Sequence, residues 1–112
     1  MAKLKFTNNE IKVDIEDNIF YIDIFDDVAN EGFKEILALA DEMKSGNYGS
    51  YDDLIAKMIP IFDKILGEGA IKTIFGDKKP KMMHIIQLAY YLTDEMNAQR
   101  EEIFKSIYVK NE

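Results

Sequence analysis

The amino-acid sequence predicts an α+β fold in which an N-terminal antiparallel β-meander is followed by a helical part. Before residue 26, apolar and polar residues alternate with a period of two, as in strands that bury one face. After residue 26, apolar residues recur every three or four positions, as in amphipathic helices. The chain has 112 residues, which is the size of one domain. We therefore expect a single domain over residues 1–112, with the meander in 1–25 and the helices in 26–112.

Three short runs carry the alternating pattern that predicts strands, namely residues 3–7, 11–15 and 19–25. Short polar segments with turn-forming residues separate them, so we expect two hairpins. The third run has apolar residues on both of its faces. Ile22 and Ile24 share one face with Phe20, whereas Tyr21 and Phe25 lie on the other. This pattern predicts a strand that is covered on both sides.

Four helical segments are predicted after the meander. The first begins at a cap, Asp26 or Asp27, and the second begins at Ser50, because such side chains accept hydrogen bonds from the free N–H groups of a first turn. Pro60 lies inside the second segment and is expected to kink or divide it. A short third segment covers about 68–75, and a long fourth covers about 80–108. The expected core contains Phe6, Val13, Ile22, Phe33, Leu37, Ile55, Phe62, Ile74, Ile86 and Leu92.

Three glycines are interpreted as structural turn residues. Gly67 is expected to close the second helix as a left-handed cap and Gly76 to stop the third, and together with Gly69 they are expected to set a helix–turn–helix geometry. At least one should have a positive φ angle, which glycine adopts without a Cβ clash. The alternative, a phosphate-binding loop, is disfavoured because Gly67-Glu68-Gly69 follows a predicted helix and no Gly-Lys-Ser/Thr comes after it.

The composition argues against several classes of function. There is no cysteine, so disulfides and thiolate chemistry are excluded, and the net charge of −7 disfavours binding to nucleic acid or to an anionic membrane. No apolar run is long enough to span a bilayer and no signal peptide is recognised, so we expect a cytoplasmic protein. His84 is the single histidine, and the acids between Asp14 and Asp27 lack the spacing of a calcium loop. We therefore predict a non-enzymatic protein with no catalytic, cofactor-binding or metal-binding residues.

A protein-binding surface is predicted on the long helix, with Met82, Met83, Tyr90 and Tyr91 as its candidates. Tyr90 and Tyr91 are adjacent, so they cannot both point into one face of a helix. Self-association is a further expectation, either through this patch or between the acidic first half of the chain and the basic segment Lys72–Lys81.

Residues 62–77 add a resemblance to these patterns. The run Phe62-Asp63-Lys64-Ile65-Leu66-Gly67-Glu68-Gly69-Ala70-Ile71-Lys72-Thr73-Ile74-Phe75-Gly76-Asp77 resembles a segment of the tail assembly chaperones of long-tailed phages and prophages of Gram-positive bacteria. The shared order is an aromatic–acidic pair, Gly-Glu-Gly, Ile-Phe-Gly and a basic turn before a long helix. The resemblance implies that the protein keeps the tape measure protein soluble and helps to recruit the tail tube protein.

Two other classes of function stay open at this point. One is a small acidic phage or bacterial regulatory module that binds proteins but has no role in tail assembly. The other is an enzyme, which a deep pocket with convergent polar groups would indicate.

Overall fold

The computed structural model describes residues 3–4, 10–46 and 49–109, with residues 106–109 described for their backbone only. In chain order the elements are a β-hairpin and four helices. Their bounds are β1 Glu10–Ile15, β2 Asn18–Asp23, α1 Asp27–Ser45, α2 Tyr51–Leu66, α3 Ala70–Phe75 and α4 Met82–Val109. The predicted α+β fold with a long last helix is confirmed.

The hairpin is antiparallel, with Val13 opposite Phe20 in the register of β1 and β2. Its two turn residues, Glu16 and Asp17, have φ angles of 52° and 66°, the backbone that a two-residue hairpin loop requires. The sheet of the described chain has two strands rather than the predicted three. Lys3 and Leu4 of the first predicted run lie outside regular structure, and Leu4 is 80% exposed rather than buried. The rest of that run, including Phe6, lies outside the described residues.

Strand β2 buries one face only, which corrects the expectation of a strand covered on both sides. Ile22 and Ile24 are buried, and α2 packs against this strand. Ile19 and Tyr21 are exposed on the opposite face, and Phe25, in the turn after the strand, is exposed as well. A strand can therefore carry apolar residues on both of its faces while only one face is covered by another element.

Helices α1 and α2 begin at the caps that the sequence indicates. An oxygen of Asp26 accepts a hydrogen bond from the Ala29 N–H at 3.0 Å, and the Ser50 hydroxyl accepts one from the Asp53 N–H at 3.1 Å. Helix α2 continues through Pro60 as one helix, so the proline does not divide it. Pro60 lies on a face of α2 that is exposed to solvent. Proline has no N–H to donate, so one backbone carbonyl of the preceding turn lacks its helical hydrogen bond, and water can bind that carbonyl instead.

The predicted core is largely confirmed. Residues that are buried as expected are Val13, Ile22, Phe33, Ile55, Phe62 and Leu92, while Ile74 and Ile86 are partly buried. Leu37 is the error, because its side chain is 55% exposed. It follows Ile36 by 100° around α1, which places it at the edge of the apolar stripe and outside the contact between α1 and α2.

The turn around α3 depends on glycine and on one acidic side chain. Gly67, Gly69 and Gly76 all have positive φ, as predicted. Gly67 has φ 116° and ψ 151°, so it is not the expected left-handed cap; Gly69, with φ 79° and ψ 5°, has that conformation. Because Gly69 has no side chain to cap α3, Asp63 of α2 does so, accepting a hydrogen bond from the Ile71 N–H at 3.0 Å.

Helix α4 has 28 residues and is therefore about 42 Å long. Its buried side chains extend from Ile85 to Ile103, so most of its length packs on the core. Among the described residues, no helix combines the length and the apolar character needed to cross a bilayer.

Candidate functional site: an apolar groove between α1 and α4

An apolar depression of the described surface lies between α1 and α4. Helix α1 packs on α2, and α2 packs on α4, so α1 and α4 flank α2. Leu54 and Met58 of α2 line the depression between them. The cavity has a volume of about 380 Å³. We call it the α1–α4 groove; its wall on α1 is formed by Ile36, Leu37, Leu39, Ala40, Asp41, Met43 and Lys44, and its wall on α4 by Met82, Ile86, Ala89, Tyr90 and Thr93.

Methionines contribute to the groove from each of its three helices. Met43 belongs to α1, Met58 to α2 and Met82 to α4. Methionine has an unbranched, polarizable side chain that adapts to differently shaped apolar partners. The groove can therefore bind apolar side chains of different shapes.

The depression continues along α1 towards the far end of α4. A second cavity of about 470 Å³ is lined by Phe25, Phe33, Leu37 and Phe104 among others, so Leu37 belongs to both cavities. There the Arg100 guanidinium donates a hydrogen bond to Asn30 Oδ1 at 2.7 Å, which joins α4 to α1. Since the start of α1 faces the end of α4, the two helices run antiparallel along the groove.

The four predicted surface residues do not form one patch. Met82 is half-buried in the groove, Tyr90 is 67% exposed at its edge, and Met83 is 62% exposed beside it. Tyr91 lies on another side of α4, away from the groove. The statement that the two tyrosines cannot share a face is thus confirmed.

The wall on α1 was missed by sequence reasoning. Leu37, Ala40 and Met43 have helical spacing, and this pattern is the same for a core-facing stripe and for a stripe that lines an open groove. No signal in the sequence distinguishes the two, because the difference depends on where α4 packs.

A cavity of about 410 Å³ with both polar and apolar lining residues lies on the Tyr91 side, between the hairpin turn, α3 and α4. The Tyr91 hydroxyl accepts a hydrogen bond from the Asp14 N–H at 3.2 Å and so holds α4 to β1. The His84 ring lies against Phe75, with 5.9 Å between the ring centroids. Among the described residues, no hydrogen bond joins His84 to a carboxylate or a hydroxyl.

Two acidic residues of the first half bind the local backbone, and a third pairs with a lysine of α2. Asp23 accepts a hydrogen bond from the Phe25 N–H, and Asp26 caps α1. Glu35 binds Lys64 at 2.9 Å, and this hydrogen bond, together with the charge of Glu35, raises the pKa of the Lys64 ammonium. Within the part of the chain that the structure describes, no three acidic or histidine side chains converge as metal ligands do.

Comparison with known proteins gives a family but no function. The model of DUF6673, a family of unknown function, matches residues 7–111, and the chain belongs to that family. Neither the curated proteins nor the solved structures contain a significant match to the chain.

Proposed function

We propose that this member of DUF6673 is a non-enzymatic tail assembly chaperone, whose α1–α4 groove binds apolar helical segments of a tape measure protein. One observation carries the proposal: an open apolar groove that receives a methionine from each of three helices. A groove of this kind suits the apolar face of an amphipathic helix, as in other helix-in-groove complexes. By this proposal the protein acts in the cytoplasm of the host cell, where it prevents aggregation of its partner before tail assembly.

The dimensions of the groove support a helical occupant. Its wall on α4 extends from Met82 to Thr93, which is about 16 Å or three helical turns at 1.5 Å per residue. A helix lying along this wall would present three or four apolar side chains at intervals of three and four residues. Asp41 and Lys44 lie at one end of the groove, where they can pair with polar residues at the edge of the bound helix.

The resemblance at residues 62–77 supports the identity of the partner and not the mode of binding. Asp63 caps α3 and the glycines shape the turns on either side of it, so this segment has a structural role in the fold. Its likeness to tail assembly chaperones is therefore an argument for a shared fold, from which we propose the shared partner. Recruitment of the tail tube protein is part of the same proposal, without a surface assigned to it.

A regulatory module that binds a basic protein is the second candidate. The acidic charge of the chain, −7, favours it. The two candidates differ in the position of the gene, since a tail assembly chaperone should be encoded beside a tape measure protein. They also differ in the surface used, because a basic partner would bind the acidic face and not the apolar groove.

Co-expression with the neighbouring tape measure protein tests the proposal. We expect the tape measure protein to remain soluble and to co-purify with this chain. Leu37→Asp should abolish co-purification, because it places a charge in the groove; it should leave the unfolding midpoint nearly unchanged, because Leu37 is exposed. The matched control is Val28→Asp, at an exposed position of α1 that does not line the groove.

Two results would contradict the proposal. If the tape measure protein is equally soluble without this chain and never co-elutes with it, the chaperone function is wrong. If Leu37→Asp and Val28→Asp co-purify equally well with the partner, the chaperone function stands but the groove is not its binding site.

A further inference from the structure

The register of the hairpin shows which backbone groups of β2 point outwards. The Asp14 N–H donates a hydrogen bond to the Tyr91 hydroxyl, so this N–H points away from β2. Asp14 lies opposite Ile19, and this pair therefore exchanges no hydrogen bonds between the strands. Such pairs alternate with bonded pairs along an antiparallel ladder, so Tyr21, two residues further on, occupies the same kind of position. The backbone N–H and C=O groups of Ile19 and Tyr21 thus point away from β1.

The two edges of the sheet differ in what lies beside them. Helix α4 packs against β1, and its Tyr91 hydroxyl accepts the outward N–H of Asp14. Among the described residues, the sheet has no further strand beside β2, and no hydrogen bond reaches the outward groups of Ile19 or Tyr21. These groups are the donors and acceptors to which an extended segment pairs when it adds to the edge of a sheet.

The side chains along this edge are apolar in the middle and acidic at both ends. Ile19 and Tyr21 are 43% and 61% exposed. Asp17 precedes them in the turn, Asp23 follows them at the end of β2, and both acids are exposed. The turn and the exposed face of the hairpin together carry five acids and one base, hence a net charge of −4; these residues are Glu10, Asp14, Glu16, Asp17, Asp23 and Lys12.

We propose that the outer edge of β2 binds an extended basic segment of a partner protein, which adds to the sheet as an antiparallel strand. Apolar side chains of this segment lie opposite Ile19 and Tyr21, and basic side chains lie near Asp17 and Asp23. Because side chains alternate between the two faces of a strand, the segment carries basic, apolar, apolar and basic residues at every second position, over about seven residues.

The same charges disfavour a second copy of this chain at the edge. The antiparallel register that pairs Ile19 of one copy with Tyr21 of the other also sets Asp17 opposite Asp23 at both ends. Like charges directly opposite each other destabilise a pair of strands, and charged residues on an edge strand are a common protection against self-association. A basic segment removes this repulsion and replaces it with attraction.

The edge of β2 and the α1–α4 groove are separate surfaces. Neither Ile19 nor Tyr21 lines the groove or the cavity that continues it. The inference therefore goes beyond the proposed chaperone function and does not depend on it.

Hydrogen exchange with a model peptide tests the proposal. The probe is Lys-Thr-Val-Thr-Val-Thr-Lys, blocked at both ends and added to isotopically labelled protein. At saturating peptide we expect exchange at the Ile19 and Tyr21 amides to slow at least about tenfold, because these N–H groups gain acceptors. The same peptide with N-methyl groups on both valines keeps its charge but cannot pair, and it should give no protection. Equal protection by both peptides, or none by the unmethylated one, would overturn the proposal.

Two substitutions on the edge of β2 provide the complementary test. Tyr21→Pro removes an outward N–H at a position where an edge strand tolerates proline, whereas the matched control Tyr21→Thr keeps that N–H. We expect the proline variant to lose the peptide and the threonine variant to retain it, with unfolding midpoints establishing that each variant is folded. Asp17→Asn suits the positive φ of the turn and should weaken binding about twofold at low salt only. Undiminished binding to folded Tyr21→Pro would overturn the proposal, as would equal affinities of Asp17→Asn and the wild type at low salt.

Discussion

At Gly32, the approach of α1 to α2 leaves no room for a side chain. A Cβ placed there would lie 2.8 Å from Ile65 Cγ1 and 3.3 Å from Ile65 Cδ1. Relieving the contact requires the buried Ile65 side chain to leave its rotamer or the two helices to move apart. Glycine is otherwise unfavourable in the middle of a helix, so its presence in α1 is explained by this packing.

Gly32→Ala should therefore destabilise the protein. Alanine favours the helix by about 0.5–1 kcal/mol, whereas overpacking a filled contact costs about 1–3 kcal/mol, so we expect a net loss of about 1 kcal/mol in the free energy of unfolding. Urea denaturation measures this change in the free energy of unfolding. The Ile65→Ala substitution should cost less in the Gly32→Ala background than in the wild type, because it removes the clashing atoms. A higher unfolding midpoint for Gly32→Ala would mean that helix propensity outweighs the contact.

At the scale of elements, the local signals of the sequence were the most reliable. Asp26 and Ser50 cap the helices that they were expected to cap, because a cap depends on only four consecutive residues. The exposure of Leu37 was not predictable, since helical spacing gives the direction of an apolar stripe but not its width. The groove depends on how three separate helices pack, and for this reason only Met82 and Tyr90 of its lining were anticipated as surface residues.

Asp63 links two elements that would otherwise meet through glycine alone. Helix α3 has six residues, which is too short for stability in isolation, and its N-cap residue is Gly69. The carboxylate of Asp63 supplies the missing acceptor from α2. The aromatic–acidic pair at Phe62 and Asp63 thus combines a buried ring with a cap for the next helix.

Asp63→Ala should weaken the attachment of α3. We expect a loss of about 1 kcal/mol, the usual effect of removing a helix cap. Hydrogen exchange at the Ile71 amide should become faster, because this N–H loses its partner. Asp63→Asn retains an acceptor oxygen and should preserve most of the protection. Unchanged exchange at Ile71 in the alanine variant would show that the hydrogen bond does not hold α3.

At the scale of the whole molecule, the proposed groove brings the first and the last helix into one binding site. A partner helix in the groove would contact Leu37 of α1 and would contact Met82, Ile86 and Tyr90 of α4. Binding should therefore depend on residues of both helices.

Met83 supplies a control on α4, because it is exposed like Tyr90 but does not line the groove. Tyr90→Asp should weaken binding of the tape measure protein, because it places a charge at the edge of the groove. Met83→Asp should leave the affinity nearly unchanged. Titration of each variant with the tape measure protein measures the two affinities. Equal affinities for the two variants would contradict the α4 wall of the groove as part of the binding site.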